Sequence, residues 1–231
     1  MRSISNEINT FNNIDCIEYM KTLPNNSVDM TLTDIPYGEV SRETNGLTNL
    51  KSLDNLGAAD RKTFDEIKFC EEEVYRITKN SICIFCGREQ FSTIFQFFKD
   101  KKGTVRPIVW EKTNPVPSNG KYVYLSGVEF AVWFKKAGGK SFNAYCKNTV
   151  FRYPIPSGQK RIHKTQKHWD LWKEIMLDCS NENEIIFDPC AGSGITAWVA
   201  KENNRNFICC ELDKETFNIS KAFLLKKGII V

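Results

Sequence analysis

The chain has 231 residues, 41% of them hydrophobic, and a formal net charge of +4, which gives enough apolar material to enclose a core within the size range of one domain. No apolar run approaches the ~18 residues that a bilayer crossing needs, and Met1-Arg2-Ser3-Ile4-Ser5-Asn6-Glu7 lacks the apolar stretch of a secretory signal, so the expectation is a cytoplasmic protein with no membrane partner. The charge is uneven: residues 101–173 hold 15 Lys/Arg against 3 Asp/Glu (Glu111, Glu129, Asp170), with Trp110, Tyr122, Tyr124, Trp133, Tyr145 and Tyr153 among them, a mixture that suits phosphate neutralisation and base stacking on one basic face.

Along the chain, short apolar strands alternate with amphipathic helices. Val28-Asp29-Met30-Thr31-Leu32-Thr33 reads as a strand that runs into Asp34-Ile35-Pro36-Tyr37-Gly38. An acid beside a proline-shaped turn and an aromatic offers acceptors for an amino group and a stacking face for a base, although the same residues also suit an ordinary strand-ending turn. Residues 38–62, rich in Asn, Gly, Ser and Thr, predict a long mobile loop. A helix from Thr63 to Lys79, a strand from Ser81 to Cys86, a helix from Glu89 to Lys99 and a strand from Arg106 to Glu111 follow. Cys83 and Cys86 form a CxxC, but positions i and i+3 of a buried strand point to opposite faces, so the nine scattered cysteines are expected to be reduced core thiols and not a metal or redox centre.

The basic, aromatic stretch 112–165 breaks the alternation, with turn signals at Asn114-Pro115-Val116-Pro117 and Ser118-Asn119-Gly120. The rhythm resumes with a helix from Trp169 to Asp178, a strand from Glu184 to Phe187, a helix from Ile195 to Asn203, a strand from Asn206 to Cys210 and a helix from Lys214 to Lys226. This order predicts an α/β fold around a central, mostly parallel sheet, with ligands at the C-terminal strand ends. Asp188-Pro189-Cys190-Ala191-Gly192-Ser193-Gly194-Ile195-Thr196 turns from strand to helix, where glycines let a ligand approach the backbone. About 20 residues on, Glu211 ends the next strand, where an acid can take both hydroxyls of a ribose. On these residues alone a nicotinamide dinucleotide remains open, although the third glycine that phosphate cradling wants is missing.

Asp34-Ile35-Pro36-Tyr37 resembles the (D/N/S)PPY motif of amino-group DNA methyltransferases, and Asp188 to Gly194 resembles their FxGxG loop. The order of the two resembles the circularly permuted β class of that family. Asn13-Ile14-Asp15-Cys16, Leu23-Pro24-Asn25-Asn26-Ser27-Val28-Asp29, Trp110-Glu111-Lys112-Thr113-Asn114-Pro115 and His163-Lys164-Thr165-Gln166-Lys167 extend the resemblance over most of the chain. Ile35 stands where the first Pro of the motif is usual, Cys190 where the loop has Phe, and Lys164 and His168 where an HPTQKP-like element has Pro.

The resemblance implies a Rossmann-like S-adenosylmethionine-dependent methyltransferase fold, one domain over residues 1–231, acting on double-stranded DNA as a possible homodimer. It implies methyl transfer to the exocyclic N6 of adenine, since an Asp at the first motif position goes more often with adenine. The alternatives are cytosine N4, an RNA or protein-amide acceptor, or a catalytically silent nucleic-acid-binding subunit. Asp34 and the Ile35 carbonyl would accept the two amino N–H bonds, with Pro36 shaping the turn and Tyr37 stacking on the extruded base. Asp15 and Cys16 would lie near the cofactor adenine, Glu211 and Leu212 at its ribose, and Thr165 and Gln166 at its methionine end. Asp188, Cys190, Gly192, Ser193, Gly194 and Thr196 would form the loop around it, and no metal is required. Lys121, Lys135, Lys160 and Arg161 are the expected DNA contacts. Pro189-Cys190 matches the nucleophile dipeptide of cytosine C5 enzymes but lies in the cofactor loop.

Overall fold

The structure, a computed structural model, describes residues 4–37, 64–117, 120–157 and 166–231. The loop expected at 38–62 and the site candidates Lys160, Arg161 and Thr165 lie outside the described residues. The elements are β1 (Thr10–Asn13), α1 (Cys16–Thr22), β2 (Val28–Asp34), a helix α2 described below, β3 (Thr78–Cys86), α3 (Arg88–Lys99), β4 (Gly103–Lys112), β5 (Val128–Lys136), β6 (Val150–Tyr153), α4 (Trp169–Cys179), β7 (Ile185–Asp188), α5 (Ile195–Glu202), β8 (Asn206–Glu211) and α6 (Lys214–Lys226).

One eight-stranded sheet runs in the order β1-β8-β7-β2-β3-β5-β4-β6. Every neighbouring pair is parallel except those made by β5, which is antiparallel to β3 and β4. The expected mostly parallel α/β sheet is therefore present. From β2 the chain moves to β3 on one side, whereas from β7 it moves to β8 on the other. The crevice between β7 and β2 is thus a topological switch point, where open α/β sheets bind their ligands.

The strands alternate their side chains between two cores. Cys83 and Phe85 join Met30, Leu32, Trp172, Ile175, Trp198 and Leu224 under α4, α5 and α6, whereas Ile82, Ile84 and Cys86 join Tyr19, Met20, Phe69, Ile94 and Phe98 under α1, α2 and α3. Because both faces are covered, β3 is buried along almost its whole length and reads as a continuous apolar run. Cys83 and Cys86 do point to opposite faces, and all nine cysteines are free.

Three expectations about the elements need correction. The helix expected to reach Lys79 ends at Ile77: α2 consists of α-helical Glu66–Lys68, a π-helical stretch Phe69–Val74 and α-helical Tyr75–Ile77. Thr78 already belongs to β3, opposite Val28, and its hydroxyl lies 2.6 Å from that of Thr31. Pairing with β2 overrides the local helical period there. The basic stretch 112–165, expected to break the alternation, itself contains all of β5 and β6. β4 also starts earlier than expected and carries Pro107. It tolerates the missing N–H because β6 pairs with β4 only from Val109 onward, which leaves Pro107 unpaired on that side.

Candidate active site

The strand order decides what meets at the switch point. Asp34 ends β2, Asp188 ends β7 and Glu211 ends β8, all at the same sheet edge, and Asp15 follows β1 one strand further out. Adjacent strands lie about 4.8 Å apart, so the catalytic candidates and the glycine turn are immediate neighbours. Thr33 seals the junction, donating its hydroxyl to Asp188 Oδ1 at 2.8 Å.

The glycine turn is held from several directions. Gly192 N–H donates to Glu211 Oε2 at 2.9 Å, Asp213 N–H donates to Glu211 Oε1 at 2.8 Å, and Ser220 Oγ donates to Gly192 O at 2.7 Å. Gly192 has φ +47°, and among the described residues beyond its chain neighbours no atom lies within 4 Å of where a Cβ would stand, so the turn faces open space that a side chain would fill. Gly194, at φ +71°, serves packing instead: its Cβ would come 3.1 Å from Leu224 Cδ1.

Asp188 is fully enclosed. Its carboxylate accepts from Thr33, from Thr196 Oγ1 at 2.5 Å and from Cys190 N–H at 3.2 Å, while Thr196 accepts Trp172 Nε1–H at 2.7 Å. Burial pushes its pKa up to about 7 against the pull of those donors. The same enclosure means that Asp188 and Thr196 shape the turn from within. Asp15 caps α1 by accepting Ile17 N–H at 2.9 Å, Cys16 and Cys190 are half-buried, Ser193 and Gln166 are buried, and Leu212 is exposed beside Glu211. Contact with Cys16 and burial push the Cys190 thiol well up, the opposite of what an attacking thiolate requires.

At the end of β2, Asp34 Oδ1 accepts the Tyr37 hydroxyl at 2.8 Å and Oδ2 accepts Lys167 Nζ at 2.5 Å. Ile35 N–H donates to Phe85 O at 3.1 Å and its side chain is buried, so isoleucine fills the motif's first Pro position without disturbing the turn. Gln90 staples that turn to α3, donating to Pro36 O at 3.1 Å and accepting Gly87 N–H at 3.0 Å. Burial and the Asp34 and Glu129 carboxylates push the Tyr37 hydroxyl's pKa well up, so it remains a neutral donor.

Sequence reasoning missed Lys167, Glu129, Lys112 and Gln90. Lys167 Nζ lies 2.9 Å from Glu129 Oε2, and Lys112 Nζ lies 2.8 Å from Glu129 Oε1. Lys112 and Lys167 had been counted in the basic face, yet their side chains are only 12% and 4% exposed and serve these internal ion pairs. The only sequence signal for Lys167 was its place at the end of the His163–Lys167 element.

Of the expected DNA cations, the two that are described, Lys121 and Lys135, lie toward opposite ends of the strands. Lys121 is exposed in the β4–β5 connection, which leaves from the catalytic edge. Lys135 does not: it pairs with Ser81 at the start of β3, whereas Phe130 pairs with Cys86 at the catalytic end. Five residues of strand, roughly 17 Å, separate those positions. Lys135 is therefore withdrawn from the DNA set, and its ammonium donates to Gly139 O.

Residues 28–222 match the N6_N4_Mtase family model, described as DNA methylase. The chain belongs to this DNA methylase family. Among its relatives, the Type II methyltransferase M.HinfI of Haemophilus influenzae is 28% identical over 96% of this chain and 70% of its own length, and the Type II methyltransferase M2.MboI of Moraxella bovis is 25% identical over 90% and 84%. The crystal structure of an M1.HpyAVI–SAM complex superposes with a TM-score of 0.70 at 28% identity, covering 93% of this chain and 98% of that one. The cytosine-N4-specific PvuII DNA methyltransferase gives a TM-score of 0.71 at 15% identity over 91% and 84%, a likeness of fold.

Proposed function

We propose that this protein transfers a methyl group from S-adenosylmethionine to the exocyclic N6 of adenine in double-stranded DNA. The observation that carries the reading is the direct adjacency of Asp34 to a glycine turn braced by Glu211. The space beside Gly192 and the carboxylate of Glu211 suit a nucleoside whose ribose hydroxyls need an acceptor. The donor supplies an electrophilic methyl group when bound, next to the switch point. Cys16, Asp15, Gln166, Cys190, Ser193 and Leu212, with Thr165 outside the described residues, complete the proposed cofactor set.

The amino nitrogen of a base is a poor nucleophile because its lone pair is delocalised into the ring. Asp34 and the Ile35 carbonyl would accept its two N–H bonds, favouring a more tetrahedral nitrogen and stabilising the positive charge that develops as the N–C bond forms. This is preorganised electrostatic stabilisation, commonly the largest single contribution to catalysis. Formation of the N–C bond would break the donor's methyl–sulfur bond, whose electron pair stays on sulfur, and the surplus proton on nitrogen would leave by way of the Asp34 carboxylate. Tyr37 offers its ring to the extruded base. A carboxylate at position 34 favours adenine over cytosine within this reading, which also places the protein in the cytoplasm as a homodimer. Among the described residues no helix is long and apolar enough to cross a membrane.

Mass spectrometry of nucleosides from DNA treated with enzyme and labelled donor tests the base. Label in N6-methyladenine is expected, and label in N4-methylcytosine would overturn the assignment of the base while leaving the mechanism.

Glu211→Ala should weaken S-adenosylmethionine about 10- to 100-fold in isothermal titration, as expected for losing hydrogen bonds to a charged acceptor. Unchanged affinity would place the ribose elsewhere. Replacing Lys121, Lys160 and Arg161 with alanine should lower the slope of log affinity for DNA against log salt by about 3, near one per phosphate contact, whereas Lys135→Ala should leave it unaltered. A slope that responds to Lys135 and not to the triple variant would put the duplex at the opposite sheet edge.

A further inference from the structure

The ionic cluster around Asp34 contains more groups than the transfer itself uses. Lys167 bridges two carboxylates, at 2.5 Å from Asp34 Oδ2 and 2.9 Å from Glu129 Oε2, and lies 3.2 Å from the Tyr37 hydroxyl. Its ammonium also sits over the Tyr37 and Phe85 rings, 5.2 Å and 5.5 Å from their centroids. Glu129, at the start of β5, is held from its other side by Lys112 at the end of β4. Two cations thus balance two carboxylates in a nearly closed space. Three separate parts of the chain contribute: the end of β2, the β4–β5 pair and the segment leading into α4.

We propose that Lys167 and Glu129 are a positioning pair for Asp34: Lys167 is the counter-ion that keeps the Asp34 carboxylate ionised and turned into the site, and Glu129, anchored by Lys112, keeps Lys167 in place. This rests on the reading of Asp34 as the acceptor of the target amino group. The physical need is plain, because a carboxylate enclosed at a strand end takes up a proton unless a cation is close. Burial does push the Asp34 pKa up, while Lys167 opposes that rise and Glu129 adds to it. Burial pulls Lys167 down, but the two carboxylates outweigh it and hold it charged. Burial likewise pushes Glu129 up, and Lys167 and Lys112 together hold it below its ordinary range. Among the described residues, the titratable and charged groups facing Asp34 are Lys167, Tyr37 and Glu129, with Lys112 behind Glu129, Cys86 at the end of β3 and Asp188 at the end of β7.

The test is the pH profile of kcat/KM, whose acidic limb reports groups of the free enzyme. Lys167→Met should move that limb to higher pH by about 1–3 pH units, the range for loss of one adjacent opposite charge. Its activity should fall most on the acidic side and recover as pH rises. Lys167→Arg, which retains the charge, should restore the limb. Glu129→Gln, whose amide oxygen still accepts from Lys167 and so leaves it in place, should move the limb the other way, to lower pH, because it removes a negative neighbour. A uniform loss in Lys167→Met with an unmoved limb would show a merely structural ion pair and overturn the proposal. Limbs moving in the same direction in Lys167→Met and Glu129→Gln would overturn it too. If Lys167→Met does not fold, the downward shift in Glu129→Gln and the restored limb in Lys167→Arg decide it. An active Asp34→Ala enzyme removes the reading on which the pair depends, whereas an inactive one with unshifted partner variants removes only the pair.

Discussion

Asp34→Ala is expected to lower kcat by about 100- to 1000-fold, the loss typical of one preorganised hydrogen-bonding partner at the reacting centre, while S-adenosylmethionine still binds. The fold should tolerate the change. Lys167 keeps its contact with Glu129 at 2.9 Å, so the cation left behind still faces a carboxylate, which it shares with Lys112. The glycine turn proposed to hold the cofactor also persists, because Gly192, Glu211 and Ser220 bond to one another without Asp34. Asp34→Asn should fall between wild type and alanine, since an amide retains an acceptor but not the negative charge. Single-turnover rates at saturating donor, beside donor affinity from titration, separate the two effects. Normal turnover in Asp34→Ala would sink the mechanism, whatever base is methylated.

The second large effect concerns stability. Asp188 titrates at about 7 when folded, raised by burial, against an ordinary 3.8. Between those values the folded protein holds a proton here that the unfolded chain has lost. The group's contribution to folding therefore worsens as pH rises through that window and is most unfavourable above about 7. The integrated difference is about 4 kcal/mol. Asp188→Asn removes the titration while keeping an oxygen for Thr33 and Cys190 N–H. Urea unfolding at pH 4.5 and pH 7.5 should show wild type losing a few kcal/mol relative to Asp188→Asn across that interval. Parallel stability curves for the two proteins would show that the carboxyl is not the enclosed, proton-retaining group described above.

Asp188 also illustrates how position and role separate. A glycine-containing turn after an apolar strand placed the residue at a ligand-facing edge. Its side chain, however, points inward to Thr33 and Thr196, and the part of the turn that faces open space is Gly192, bonded to the Glu211 carboxylate. A residue's neighbours along the chain indicate the turn, but they do not reveal which way the carboxylate faces.

What the sequence by itself determined was everything governed by local period and turn chemistry. Apolar runs bounded by turns marked β2, β3, β7 and β8, the glycines marked the turn into α5, and i, i+3 spacing on a buried strand put Cys83 and Cys86 in different cores. The motif at the end of β2 and the acid at the end of β8 were legible because each sits at a strand terminus with its own signature. Only the tertiary structure decided where the charges go. Lys112 and Lys167 look like surface cations in a basic stretch, yet pairing of β4 with β5 and the return of the chain from β6 bring them onto Glu129 and Asp34. Lys135 looks like Lys121, yet the antiparallel direction of β5 carries it to the far edge of the sheet. A charged side chain's role depends on its burial and on the partners that strand order and register supply, and the contact between Asp34 and Lys167 spans 133 positions of sequence.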